Sequence, residues 1–404
     1  MKAQKASVLT FGVVVALIAG VTLGSGGANV MPVFVDDFAS RFSLSDSSAG
    51  LVAATQLMAT AVGTLLLAKR AARPGRVRMT RLGLLLAGLG FLGATAATDI
   101  VNLMVANLVI GAGLGAVYAA ATASLAATDD ADKASAVTIS GTVCVTALLI
   151  MAVPAANHDL GEGTGFLLMT VCCVLAWPLV RGLPDGPAGT GAGPADEGGK
   201  AGAVGKDGEV GTRPALLLLC GTALLWAVTQ GAWSYASVLG RQHTGMSHTA
   251  VSAVLAISSV VALAGAVVGP LAARRLGRMR SMAAFVGVQA LAMAVLITTH
   301  DPVLFIVAAV VWQACQLAVL VQMLAAAAVI DPTGRLVASL SGAGALGTGL
   351  GPLAVGAVLD GAGAGVLGVV LALGTFVASL PLLRMTVASA AASDEPQLRK
   401  APMA

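Results

Sequence analysis

The chain has 404 residues, of which 57% are hydrophobic and only 10% charged, against roughly 25% charged in soluble domains. That deficit excludes a soluble globular protein and leaves room for about twelve apolar spans, with no sizeable soluble domain. The net charge of +4 is too small to mark a nucleic-acid binder, and nucleic acid is not an expected partner. The five cysteines, Cys144, Cys172, Cys173, Cys220 and Cys315, lie in apolar runs without metal-ligand spacing and read as small core residues. No metal or cofactor is expected.

In chain order, the first charge-free stretch is Leu9–Val33. Lys2 and Lys5 precede it as in a signal peptide, but eleven further runs follow, so it reads as a retained first span. Next come Ala49–Ala68, Leu82–Thr98, Val101–Thr128, Ala134–Ala156 and Thr164–Val180. After a polar segment follow Pro214–Gly240, Thr249–Ala272, Ser281–Thr299, Val303–Ile330, Leu336–Leu359 and Gly363–Leu383. Each is near the ~20 residues that cross a bilayer as a helix. None contains Asp, Glu, Lys, Arg or His.

With the N-terminus in the cytoplasm, every one of the 23 Lys and Arg except Arg41 and Arg241 falls on the inner side. This positive-inside bias predicts a multi-pass protein of the cytoplasmic cell membrane with both termini cytoplasmic. Residues 1–181 form a first six-span bundle and residues 214–387 a second. Residues 182–213, rich in Gly, Pro and mixed charge, read as a flexible cytoplasmic linker, and residues 388–404 as a cytoplasmic tail. Abundant Ala and Gly, with Arg ahead of Lys, point to a G+C-rich bacterial genome.

The two bundles repeat one another. Arg73-Pro74-Gly75-Arg76-Val77-Arg78 returns as Arg275-Leu276-Gly277-Arg278-Met279-Arg280, 202 residues later. Gly63 and Gly265 share that offset. An even number of spans per unit makes the repeat parallel.

Two six-span halves with Arg-x-Gly-Arg-x-Arg after spans two and eight resemble the major facilitator superfamily over essentially the whole chain. The resemblance implies an all-α membrane fold of twelve transmembrane helices in two pseudo-symmetric bundles. It implies a secondary transporter working by alternating access, expected to be a monomer. The loop residues Arg73, Gly75, Arg76, Arg78, Arg275, Gly277, Arg278 and Arg280 then belong to the cytoplasmic gate. The family's loop Asp is missing, its place falling on Ala71 and Ala273. The residues alone support a simpler reading, in which glycine makes the turn and the arginines set topology at the headgroups.

Asn107-x-x-x-Gly111-x-Gly113-x-Gly115 resembles the family's fourth-span motif, with Asn107 where the family carries Arg. In the family, spans one, four, seven and ten line the central cavity. On those spans lie Asn29, Asn107, Tyr118, Trp226, Gln230, Trp233, Tyr235, Trp312, Gln313 and Gln316, the candidate substrate-binding residues. Trp226, Gln230 and Trp233 stand at i, i+4 and i+7, one helix face. Aromatic faces with amides suit an amphipathic organic solute, although packing between helices explains them too. The glycines before Asn29 either pack closely or let the first span break. Gly342-x-Gly344-x-x-Gly347 is a packing seam rather than a nucleotide loop, since no strand precedes it.

Asp36 and Asp37, with Arg41 one turn on, are the nearest acids to the first span; they either pair at the surface or bind a coupling proton. A cavity without charge disfavours strongly charged metabolites. The function expected is export of a small, neutral or weakly charged amphipathic solute, a drug or secondary metabolite. The alternative is facilitated or proton-coupled uptake of a small nutrient. An enzyme would need converging His and acids that the spans lack, and a sensor would need an output domain.

Overall fold

The apolar runs become helices bounded by short polar caps. Thr10, Ser45, Asp99, Asp130, Ser247 and Asp301 each accept a backbone N–H from the first turn of the helix they precede. The computed structural model describes residues 8–185, 212–331 and 335–398. The helices are α1 (Phe11–Asn29), α2 (Met31–Arg41), α3 (Asp46–Ala71), α4 (Arg76–Thr95), α5 (Ile100–Leu125), α6 (Ala131–Leu160) and α7 (Thr164–Leu179). They continue with α8 (Thr212–Thr244), α9 (His248–Leu276), α10 (Arg278–Thr298), α11 (Pro302–Ile330) and α12 (Arg335–Leu398).

Among the described residues, eleven segments are long and apolar enough to cross a membrane, and one of them, Leu336–Met385, holds 50 residues. That is more than twice the length one crossing needs. The stretch is broken at Gly363, whose φ of 76° is left-handed. Gly347 packs on Ala223 while Ala378 and Pro381 pack on Gly221, so both arms of α12 lie on the same stretch of α8 and the chain reverses at Gly363. The count is therefore twelve crossings: α1 with its extension α2, α3 to α11, and the two arms of α12. The seam from Gly342 packs as expected of it, Gly344 on Trp226 and Gly349 on Met58. Large apolar side chains such as Leu66, Leu148, Val174, Val267 and Leu373 face outward around the bundle, as lipid contact requires.

One end of the bundle carries Arg70 to Arg81 and Arg274 to Arg280; the opposite, arginine-poor end carries Arg41 and Arg241. The 202-residue repeat is a repeat of contacts as well. Gly63 of α3 meets Ala112 of α5, and Gly265 of α9 meets Ala314 of α11 at the same offset. Small residues at both crossings let the backbones approach where side chains would hold them apart.

Two boundaries differ from expectation. Leu183 is buried and Asp185 docks on the first arginine loop, so the opening residues of the expected linker pack with the first half. The rest of the linker, 186–211, lies outside the described residues, as do 1–7 and 399–404. At the other end α12 stays helical through Leu398, past residue 387, because Ala-rich sequence with no Gly or Pro until Pro396 gives nothing to stop it.

Candidate substrate site and gate

The site begins with Pro32. Proline has no N–H, so the carbonyl of Ala28, four residues back, loses its helical donor. The N–H of Val33 turns to Val30 instead, at 3.2 Å, and the helix breaks between Asn29 and Met31. Two carbonyls of the first crossing are thereby freed, and α8 of the other half supplies their donors. Gln230 Nε2 donates to Ala28 O at 2.9 Å, and Trp233 Nε1 donates to Asn29 O at 3.1 Å. Ala28 and Gln230 are 202 residues apart, the repeat length itself. A contact between equivalent residues places this joint on the pseudo-two-fold axis between the halves.

Beyond the break, α2 is held inside the bundle by aromatic stacking. Phe34 stacks on Phe166 at 4.9 Å and tilts against Phe91 at 6.3 Å, and Phe38 stacks on Phe166 at 5.9 Å. Successive helix residues point about 100° apart, so the two aspartates between these rings take different environments. Asp36 faces α8. Its Oδ1 accepts from Arg241 at 2.5 Å and 3.1 Å, and Ser237 Oγ and His248 Nδ1 stand 3.2 Å from Oδ2. Asp37 faces α6, where Asn157 Nδ2 donates to Oδ1 at 2.7 Å, and its Oδ2 is buried with no partner among the described residues.

The expected surface pairing of these aspartates with Arg41 is not what forms. Arg41 turns away to the carbonyls of Ala94, Thr95 and Ala97, capping the end of α4. Asp36 pairs across the halves instead, because the Pro32 break swings α2 over α8. His248, at the exposed edge of this cluster, joins it from the start of α9.

The rest of the arginine-poor end is closed by α3 against α12. Asp360 accepts the backbone N–H groups of Asp46 and Ser47, at 3.1 Å and 2.8 Å, and so caps the N-terminus of α3 from the other half. Tyr235 donates its hydroxyl to the Asp46 carbonyl. That hydroxyl and the Pro352 carbonyl fill the space beside Gly50 and Gly356, where any Cβ would collide.

The ten candidate cavity residues therefore divide. Asn29, Gln230, Trp233 and Trp312 come together: Trp312 meets Trp233 edge-on at 6.0 Å, and its Nε1 is buried without a hydrogen-bond partner among the described residues. Trp226 and Gln316 meet elsewhere, lining a cavity of about 20 Å³ with Thr229 and Gln289. Tyr235 belongs to the closed rim. Tyr118 packs on Gly24, which explains the glycines of α1 as close packing at that point. Asn107 is fully buried, with Nδ2 on its own Leu103 carbonyl at 2.8 Å and Oδ1 unpartnered. Gln313 is half-buried on α11.

Gln56 was missed by a reading that filtered for charge. It is fully buried in α3 against Gly27, and neither atom of its amide has a hydrogen-bond partner among the described residues. Gln56, Asn107, Trp233 and Trp312 each lie two to three helical turns from the arginine-poor end, about 12–17 Å deep at 1.5 Å per residue. That is near the middle of a bilayer core about 30 Å thick. Unpartnered amide and indole groups at that depth are costly, by about 1–3 kcal/mol each, and await a partner.

At the arginine-rich end the first loop is a built structure. Gly75 sits at φ 108°, a conformation that favours glycine. Arg76 is fully buried; its Nε donates to Ala71 O at 2.8 Å and its Nη1 to Pro184 O at 3.1 Å. Asp185 accepts the N–H groups of Gly75 and Arg76, each at 2.7 Å. Arg76 is thus a buried clamp rather than a headgroup-facing charge, and Asp185 brings an acid to a loop whose own sequence has Ala71. Arg70 donates to Pro74 O, while Arg73 and Arg78 are exposed or half-buried. In the second half Gly277 has φ 84°, and Arg275 and Arg280 are exposed.

This architecture recurs among solved transporters. A mutant of the peptide transporter POT matches with a TM-score of 0.73 at 12% identity, covering 96% of this chain and 97% of that one. A mutant of the nucleoside transporter NupG matches with a TM-score of 0.72 at 12% identity, over 93% and 100%. A bacterial homolog of the human lysosomal transporter Spinster, inward-facing and occupied, matches with a TM-score of 0.67 at 16% identity, over 96% of each chain. A comparison with curated protein sequences gives no match. The family model of the Major Facilitator Superfamily matches residues 16–332, and the chain belongs to that superfamily of membrane transporters.

Proposed function

We propose that the protein moves a small, neutral or weakly charged amphipathic organic solute by alternating access, and that it exports it. The observation that carries this reading is the mid-depth belt of uncharged polar groups without partners among the described residues: the amide of Gln56, Asn107 Oδ1 and Trp312 Nε1. Such a belt offers hydrogen bonds and aromatic faces but no charge, so an ionic solute would be desolvated unpaired. Export follows from the solute's chemistry. An amphipathic neutral molecule crosses lipid unaided, and a carrier serves it best by driving it against its gradient. With the arginine-poor end closed, the belt is reached from the arginine-rich end, which the positive-inside bias assigns to the cytoplasm.

Asp37 is the proposed proton site. It is buried, and its Oδ2 has no hydrogen-bond partner among the described residues. Proton entry from the far side would then drive the solute out. The gate loops with Arg73, Arg76, Arg78, Arg275, Arg278 and Arg280 close the opposite end in the alternate state.

A second reading, uptake of a small polar nutrient, is favoured by structural relatives that carry nucleosides and peptides. Reconstitution into liposomes separates the two. Uncharged amphipathic compounds should move faster than through protein-free vesicles, and Trp312→Ala should slow them by about tenfold. Saturable movement of a nucleoside or dipeptide, with no effect on the amphipathic compounds, would replace the first reading with the second.

A further inference from the structure

Between α9 and α11, at the arginine-rich end, lies a cleft of about 380 Å³ lined by Pro270, Ala273, Arg274, Arg278, Val321, Gln322 and Ala325. It is remote from the mid-depth belt and from the cross-half bonds. Its walls are apolar, its mouth holds two guanidinium groups, and no carboxylate lines it. Gln322 is 95% buried, and its Nε2 has no hydrogen-bond partner among the described residues. Ser281 Oγ lies 2.8 Å from Gln322 Oε1 and donates to it, which leaves the amide's donor end for the cleft. The three polar groups lining the cleft are therefore all donors, the pattern that receives an oxyanion.

The surface leading from the cleft is equally specific. Val260, Val267 and Leu271 are exposed, and with Pro270 and Arg274 they fall on one face of α9 at three- and four-residue spacing. An apolar track about two turns long or more thus runs from the cationic mouth toward mid-depth. A free inorganic anion would use the mouth and leave the track bare. A molecule with a phosphate at one end and a hydrocarbon chain at the other fills both.

We propose that this cleft is a phospholipid site. The headgroup phosphate of an anionic lipid accepts from Arg274, Arg278 and Gln322 Nε2, and an acyl chain lies along Leu271, Val267 and Val260. The site ties α9 to α11 on the side where the gate loop Arg275–Arg280 begins, so its occupancy bears on that loop.

Native mass spectrometry of the full chain tests this, with phosphatidylglycerol as the probe. The first bound lipid should dissociate about tenfold more readily from Arg274→Gln combined with Gln322→Leu, the loss expected for charge-assisted hydrogen bonds. Gln322→Glu, which keeps the side chain's shape and adds a repelling charge, should have the same effect. Lys69→Gln with Arg384→Gln, which removes two exposed cations elsewhere at that end, should leave the first lipid bound. Equal loss in this control pair would overturn the proposal, as would retention of the lipid in both cleft variants. Displacement of the lipid by excess inorganic phosphate would assign the cleft to a soluble anion and overturn the lipid assignment.

Discussion

Asp36 of the first half and Arg241 of the second meet at 2.5 Å, with the aspartate 6% exposed and the arginine 26%. In the proposed transport cycle the pair would part when the arginine-poor end opens, so its energy would belong to one state. A ligand-free equilibrium between two states moves by the free energy that distinguishes them. Removing one partner of a buried pair is costlier than removing both, because a lone charge stays behind. Asp36→Asn should therefore shift the protein toward opening at this end by on the order of 2 kcal/mol, and Asp36→Asn with Arg241→Gln should shift it less. Spin labels at Leu160 and Val303, in a background lacking the five cysteines, would report longer distances in the single variant. Unchanged distances would mean that the pair does not hold the gate.

Asp37 is a buried acid whose Oδ2 has no hydrogen-bond partner among the described residues, so burial penalises its charged form. Asp37→Asn, which mimics the protonated group, should raise the melting temperature at neutral pH and leave it nearly unchanged in acid. The same variant should uncouple solute movement from an imposed pH gradient. If gradient-driven accumulation survives it, Asp37 is not the coupling site.

Arg76 and Asp185 predict a clamp at the first arginine loop. Arg76→Ala leaves the Ala71 and Pro184 carbonyls without a donor inside the fold, and should cost about 2–4 kcal/mol. Asp185→Ala removes an acceptor from two N–H groups at the start of α4 and should cost about 1 kcal/mol. Arg280→Ala, at an exposed position, should cost under about 0.5 kcal/mol. Thermal unfolding in detergent ranks the three, and a reversed order would refute the clamp.

The α3–α12 contact predicts a steric block. Gly50 has no room for a side chain beside the Pro352 carbonyl and the Tyr235 hydroxyl. Gly50→Val should keep the halves apart at this end and trap the opposite state, while Tyr235→Phe removes one hydrogen bond and should shift the equilibrium by about 1 kcal/mol. Labelling of a cysteine introduced at Ser47 by a membrane-impermeant thiol reagent would rise strongly for the first and weakly for the second.

The sequence carried the membrane class, the twelve crossings, the duplication and the superfamily. These are one-dimensional properties: apolar run length, charge alternation between loops, and a repeated spacing. Gln56 could have been found, since an amide in the middle of an apolar span is a signal whenever polar residues are read alongside charged ones.

Pairing was not legible. Asp36 and Asp37 are neighbours in the chain, yet one meets Arg241 and the other Asn157, because a helix turns about 100° per residue and Pro32 sets the direction of α2. Arg76 is buried in a loop that reads as headgroup-facing, because Asp185 arrives beside it from more than a hundred residues away. The amino-acid sequence by itself determined where this protein meets lipid and how many times it crosses. Only the tertiary structure decided which charges lock the halves and which polar groups are left waiting, because those outcomes depend on what lies across from each side chain, and neither run length nor periodicity encodes that.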